Sequence, residues 1–543
     1  MKSALSALIF FVVPIAGFVK STPADSAGVY WIILTDKGPD QEPRIMEFQK
    51  SLPERTVLRR RKAFHSDIVG DSTDLPVFAD YKDSLCDFVS GIREESRWLN
   101  AISAYVKPER LSEIKSLSFV SDIVPVRMSN PNSVKIEQIE SWNAGEITHD
   151  MPDAGMDYGA SFRQLEQVGV IWAHEQGYHG EGVLICFLDT GFLTFHHALN
   201  HMDIVAEYDF IHDDDFVGFD PAQDLRGQPN HGTATLATIG GYYPGELVGP
   251  AYAASYILCK TEQTGSETAV EEDYYIAALE WGEMLGADLA SSSLSYSDWY
   301  STDDYDGQTC LTTVAANIAF EKGMILCSSM GNEGPGKFTL SAPADSRLAL
   351  GIGAVNSDGD LAGFSSWGPT ADGRIKPDIC AQGVAVIAAT PYTTDGFSKW
   401  NGTSLSCPLA AGVVALVIQA HPDWDPYAIC DAVRESADRA SRPDIRYGWG
   451  IVSASDAINY PAFSGYIVDK ATGNGIIGKI DLQSAEDEKL KLTAMSDSSG
   501  FYTLANLEAG DYLITISSSS YVTVSAVISV PPSAEMDFAL NRQ

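Results

Sequence analysis

The sequence predicts an α/β protein built on a mostly parallel sheet, with a small α+β module ahead of it and an all-β sandwich behind it. Three observations carry that expectation. Between residues 156 and 460, short apolar runs alternate with helical stretches, the pattern of βα units around a parallel sheet. Ahead of that region strand-like runs flank a helical pattern, and after Tyr460 short alternating strands succeed one another between turn signals. At 543 residues the chain is also too long for one ordinary core.

Taken in order, Lys2, the apolar stretch 4–18 and the polar Lys20-Ser21-Thr22 read as a secretory signal peptide over residues 1–24. The apolar run is shorter than the ~20 residues a membrane span needs. Residues 28–128 form the α+β module, with strands at 29–34, 101–106 and 119–126 and a helix at 108–117. Its basic run Arg59-Arg60-Arg61-Lys62 reads as a solvated helix face, with a processing site as the alternative. Residues 129–155, rich in Pro, Asn, Gly and Asp, read as a linker in which processing can occur.

In the 156–460 region the strand candidates are 183–188, 254–260, 289–293, 323–328 and 348–355, and the clearest helices are 270–285 and 404–420. The second helix is nearly all apolar and should be buried; Pro408, Gly412 and its length argue against a membrane span. Residues 461–543 carry the turn signals Asp469 to Gly475, Asp497 to Gly500 and Glu508 to Asp511 of a β-sandwich.

A formal charge of −37 repels a polyanion, so nucleic acid is not an expected partner. The excess is uneven: residues 28–128 hold 15 Lys+Arg against 16 Asp+Glu, so the acid lies almost wholly beyond them. This is read as solubility outside the cell. Of eight cysteines, Cys186, Cys259 and Cys327 lie inside apolar runs and read as small buried hydrophobes, so few or no disulfides are expected. Cys310, in a polar loop, is the candidate exception.

Three segments carry chemistry. Asp189-Thr190-Gly191 follows an apolar strand, His231-Gly232-Thr233 opens an alanine-rich helix, and Gly402-Thr403-Ser404-Leu405-Ser406-Cys407-Pro408 opens the apolar helix. A serine hydroxyl needs a base to take its proton and a third group to orient that base, and Ser404, His231 and Asp189 supply them. Asn332, in Ser328 to Gly334, follows another apolar strand and could hold its amide over a scissile carbonyl beside the Ser404 N–H.

With those residues the chain resembles the subtilases, subtilisin-like serine proteases of peptidase family S8, over about residues 160–460. The resemblance implies a subtilisin-like mostly parallel sheet flanked by helices, endopeptidase activity on proteins and peptides, and no cofactor for the chemistry. It implies Asp189 as orienting acid, His231 as base, Ser404 as nucleophile and Asn332 as oxyanion donor. It further implies that Ser293, Leu294 and Ser295 pair with the substrate backbone, and that Ser329, Met330 and Gly331 wall the pocket for the residue before the cut. Phe364 to Pro369 and Lys376 to Ile379 also resemble the family's scaffold. Leu405 stands for the usual Met, Ser406, Cys407 and Leu409 depart from familiar residues, and Ala234 stands where many relatives carry a second His. Cys407 raises mercurial sensitivity, with a buried inert thiol the blander reading.

Residues 28–128 resemble the propeptide of secreted bacterial subtilases, implying an intramolecular inhibitor removed by self-cleavage, and residues 461–543 resemble carboxypeptidase regulatory-like β-sandwiches. A monomeric prepro-precursor, secreted or held at the cell surface, is expected. His212 to Asp215 with Asp220 and Asp224 form an acidic loop that could hold structural calcium, though a solvated loop is the plainer reading. Glu262, Glu267, Glu271 and Glu272 are read as a solvated stretch, with a role in favouring basic substrates as the alternative. Two rivals are weighed: a non-catalytic adhesion protein on a protease fold, against which the intact quartet speaks, and a sedolisin-type acid peptidase, against which His231 speaks.

Overall fold

Apolar runs flanked by βα connections are buried on both faces of a sheet, so they read as continuous hydrophobic stretches. The computed structural model, which describes residues 27–126, 137–145, 155–265, 270–460, 462–485, 491–496, 500–505, 510–530 and 534–543, bears this out. The signal-peptide reading, Glu267, most of the linker and parts of two C-terminal turns lie outside the described residues. The chain forms two bodies, one of residues 1–39 and 75–126, the other of residues 40–74 and 127–543.

The first body is an antiparallel sheet of Gly28–Leu34 (β1), Gly91–Ser96 (β2), Ala101–Val106 (β3) and Val120–Val126 (β4) in the order β2-β3-β1-β4. Helices Ala79–Cys86 and Leu111–Lys115 complete it, and Ile32, Leu34, Leu85, Ile102, Ala104 and Ile114 form its core. The α+β expectation holds, although the helix read at 108–117 is a 3₁₀ turn, Pro108–Arg110, followed by that short α-helix.

The second body begins with Gln41–Ser51 (α1), a helix the sequence did not suggest, and Glu54–Phe64 (α2), which contains the basic run. Here one expectation is corrected: Arg59 and Arg60 do not face water but are 3% and 0% exposed. Next comes strand Glu137–Asn143 (β5), inside the stretch read as a linker. The main sheet contains Leu184–Asp189 (β6), Asp203–Asp209 (β7), Ser255–Lys260 (β8), Leu289–Ser292 (β9), Ile325–Ser329 (β10), Leu350–Val355 (β11) and Ile379–Gln382 (β12). Every neighbouring pair is parallel, in the order β12-β11-β10-β9-β6-β8-β7. Because β6 has β8 on one side and β9 on the other, the winding changes direction there, and the crevice beyond the carboxyl ends of these strands is where such sheets bind ligands.

Helices Asn230–Gly240 (α3), Val270–Met284 (α4), Leu311–Glu321 (α5) and Thr403–Ala420 (α6) flank the sheet. α6 is apolar enough to cross a membrane by composition, yet 89% of it is buried inside the protein. It is a core helix whose Val413, Val414, Leu416 and Val417 pack in the main cluster with Ile185, Phe187 and Ile352. A smaller antiparallel sheet joins Val386–Ala389 (β13), Gly396–Asn401 (β14) and β5, in that order. After Tyr460, two four-stranded sheets enclose a separate core of Phe463, Ile467, Ile480, Leu482, Tyr502, Ile514 and Ile516, the expected sandwich. All eight cysteines are free, and Cys310, the candidate exception, is buried.

Candidate active site

Asp189 is the last residue of β6 and is fully buried. A carboxylate there must be satisfied by neighbours. Its Oδ1 accepts from Thr190 N–H at 2.7 Å and lies 2.6 Å from His231 Nδ1, and its Oδ2 accepts from Thr235 Oγ1 at 2.8 Å. His231 is the second residue of α3, only 3% exposed, and its Nε2 is buried without a hydrogen-bond partner. With Nδ1 donating to the carboxylate, Nε2 is left as the acceptor. Gly232 makes the approach feasible: a Cβ there would meet Gly191 O at 2.3 Å and Asp189 Cβ at 3.0 Å, so α3 could not come this near β6 with any larger residue.

Ser404 is the second residue of α6. The chain enters that helix through Gly402 at φ 149°, ψ 152°, a conformation that favours glycine. Ser404 Oγ sits 3.4 Å from Ser293 O, and Ser293 Oγ donates to Ser404 O at 2.8 Å. Pro408 explains the second bond: it lies four residues on and lacks the N–H that would have closed the helical bond to Ser404 O. Asn332, partly buried after β10, accepts from Thr403 N–H at 2.9 Å and from Thr403 Oγ1 at 3.0 Å through its amide oxygen. This turns the amide nitrogen away from Thr403.

The structure thus brings Asp189 against His231, and Asn332 and Ser293 against the start of α6. Ser295 is exposed, while Ser293 and Leu294 are buried, and Tyr296 just beyond pairs its backbone with Ala342 at 2.9 and 3.2 Å. Met330 and Ser329 are buried too, and Met330 packs with Tyr305, Cys310 and Leu340. At Gly331, φ is 100°, and a Cβ would sit 3.1 Å from both Ser341 Oγ and Ser366 Oγ. Cys407 donates to Ser292 O at 3.4 Å, and burial pushes its thiol up to about 12, the inert reading.

Among the described residues the glutamates read as solvated, Glu262, Glu271 and Glu272, are buried. Glu262 and Glu272 are 4% and 3% exposed; Glu272 accepts from Trp299 Nε1 at 3.0 Å and Tyr300 OH at 2.9 Å, and burial pushes its carboxyl up to about 8. In the acidic loop Lys260 supplies the positive charge, its buried ammonium lying 2.8 Å from Asp209 and 2.6 Å from Asp224. Asp214, Asp220 and Asp224 also accept backbone N–H bonds. Among the described residues no group of three or more His, Cys, Asp or Glu is placed to hold a metal ion.

The roles of Thr235, Thr403, Gly232 and Pro408 escaped the reading of the sequence. Thr235 alone had a signal, standing four residues after His231 on the same helical face.

A buried Asp–His pair at the carboxyl end of a parallel sheet, with a serine at a nearby helix start, defines the class of α/β serine hydrolases. Comparison with known proteins makes the assignment particular. Residues 180–450 match the subtilase family and residues 29–141 the peptidase S8 propeptide domain of Bacteroidota. Subtilisin E of Bacillus subtilis (strain 168) is 26% identical over 378 residues, 69% of this chain and 85% of its own. The serine protease AprX of the same organism is 28% identical over 319 residues, 51% of this chain and 66% of its own. The crystal structure of fervidolysin from Fervidobacterium pennivorans, a keratinolytic enzyme related to subtilisin, matches with a TM-score of 0.54 at 17% identity, covering 95% of this chain and 78% of that one. The chain belongs to the subtilase family of serine endopeptidases and carries that family's propeptide domain.

Proposed function

We propose that this protein is a secreted endopeptidase, made as a prepro-precursor, in which Ser404 is acylated by a substrate peptide carbonyl. His231 Nε2 takes the Ser404 proton as the Oγ–carbon bond forms, Asp189 holds the imidazole in the tautomer that leaves Nε2 basic, and Asn332 with the Ser404 N–H stabilises the oxyanion. The same proton passes to the departing amine, and water, activated in turn by His231, releases the acid. The observation that carries this reading is the 2.6 Å Asp189–His231 contact with Nε2 left unpartnered. The Ser404 hydroxyl rests on Ser293 O at 3.4 Å in the free protein, and in this reading it turns to His231 Nε2 when substrate arrives.

In this reading the backbone of Ser293, Leu294 and Ser295 pairs with the substrate chain and Gly331 with its neighbours forms a pocket wall. The propeptide domain inhibits until processed, export follows from the sequence of residues 1–24, and the C-terminal sandwich, like carboxypeptidase regulatory modules, adds no catalysis. The chemistry draws on no cofactor.

Active-site labelling tests it. A fluorophosphonate probe should label the processed protein and fail to label Ser404→Ala. A folded native protein that takes no label would point instead to a binding protein on a protease fold.

A further inference from the structure

α2 carries a run of cations that would ordinarily face water, yet Arg55, Arg59 and Arg60 bond to the body that holds the candidate site. The Arg60 guanidinium is fully buried between two carboxylates, donating to both oxygens of Asp74 at 2.8 Å and both oxygens of Glu283 at 2.7 Å. Arg59 pairs with the same Glu283 and donates to the carbonyls of Ala287 at 2.6 Å, Glu283 at 3.0 Å and Lys322 at 3.2 Å. Arg55 pairs with Asp288 and donates to the carbonyls of Gly182 at 2.8 Å and Gly286 at 3.0 Å. From the other side Lys322 reaches Asp74 at 3.0 Å and Asp71 at 3.2 Å.

The partners lie at element ends. Glu283, Gly286 and Ala287 close or follow α4, Lys322 follows α5, and Gly182 and Asp288 precede β6 and β9. The guanidinium groups thus satisfy carbonyls that helix ends leave open and complement the negative end of each helix dipole. They do so at the amino-terminal edge of the parallel sheet. Asp189 and Ser293 lie at its opposite edge, a strand length or roughly 17 Å away.

Residues 40–74 belong to the matched propeptide domain and fold into the same body as the main sheet. We propose that the base of α4, α5 and β9 is a docking site for the prosegment, separate from the cleft, which holds residues 40–74 noncovalently on the protease body after the chain is cut in the 129–155 region. The inference rests on the reading of residues 40–74 as removable prosegment. Its physical basis is mutual: Glu283 on the body and Arg59 and Arg60 on the segment are buried against one another, with Arg60 holding Asp74 of its own segment at the same time. Removing one partner from such a network is strongly unfavourable, and few other ligands could supply two arginines at this spacing. Burial raises the pKa of Asp74, but the Arg60 hydrogen bonds and the Lys322 charge outweigh it and leave the carboxyl below its ordinary value. Mild acid does not neutralise it.

The test uses the full-length Ser404→Ala chain with a sequence-specific protease site placed ahead of Glu137. After cutting, the prosegment should co-elute with the body on size exclusion. Arg59→Ala with Arg60→Ala, or Glu283→Gln on the opposite side, should speed its dissociation by about 100-fold or more. Arg61→Ala, whose side chain is 40% exposed, should change nothing. Prompt release from the parent, or equal rates for the Arg60 and Arg61 variants, overturns the proposal, and thermal melting of the cut body checks that each variant folds. Self-cleavage of the Ser404→Ala chain would refute the nucleophile assignment while leaving the dissociation rates readable.

Discussion

At Asn332 the amide oxygen is committed to Thr403, which donates to it twice, so the side chain is held in one orientation before substrate arrives. A donor fixed in advance has no reorganisation to undergo as charge develops. Asn332→Ala should therefore lower kcat by ~100-fold or more with little change in KM. Because Thr403 also loses its acceptor, turnover should be normalised to fluorophosphonate-titrated sites; near-native turnover would retire the oxyanion role. The four segments behind this site were legible because each is a short local signal: a strand end, two helix starts, a turn after a strand. Thr235 and the Ser293–Pro408 arrangement were not, because they depend on which elements meet. The hydroxyl that satisfies Ser404 O lies 111 residues away, and nothing local marks Pro408 as the reason it is needed.

Elements were readable in proportion to their burial. α6 and β6 are buried along most of their length, so their apolar runs stand out; β7, at the sheet edge, is half exposed and reads Asp-Ile-Val-Ala-Glu-Tyr-Asp, too polar to suggest a strand. α2 misled in the opposite direction, since its arginines are buried by partners more than 200 residues on. α4 begins with three buried acids, Glu271, Glu272 and Asp273, and one of them gives a pH signature. The folded Glu272 carboxyl keeps its proton to about 8, whereas an unperturbed one loses it near 4.5. Between these values the unfolded chain binds fewer protons than the folded one, so stability falls as pH rises and levels off above about 8. Urea unfolding should find Glu272→Gln more stable than the parent at the upper end of that window, by an amount on the order of 4 to 5 kcal/mol, with the difference closing at the lower end. Parallel profiles for the two proteins would mean that Glu272 does not carry the effect.

Across the whole molecule, three pieces of secondary-structure grammar gave the correct class: a helical pattern between strands, then βα alternation, then closely spaced strands. The sandwich has its own apolar core, and among its described apolar residues Phe501 packs against the main cluster. Deleting residues 461–543 should accordingly leave kcat/KM within about threefold of the parent and lower the melting temperature of the main transition only slightly; loss of labelling by fluorophosphonate would show that the sandwich supports the protease body. The division of the N-terminal module could not be foreseen, because an insertion that folds with another part of the chain looks like any other helical stretch.

β5 has a consequence for where maturation can occur. It pairs along its length with β14, whose last residue Asn401 donates to Glu137 and directly precedes Gly402 and Ser404. A new N-terminus ahead of Glu137 leaves β14 covered on both sides by β13 and β5. A cut beyond Asn143 frees β5 to depart and bares a row of backbone N–H and C=O groups on β14, an invitation to strand exchange with a second molecule. The choice of processing site is therefore also a choice between a protease that stays dispersed and one that self-associates beside Ser404.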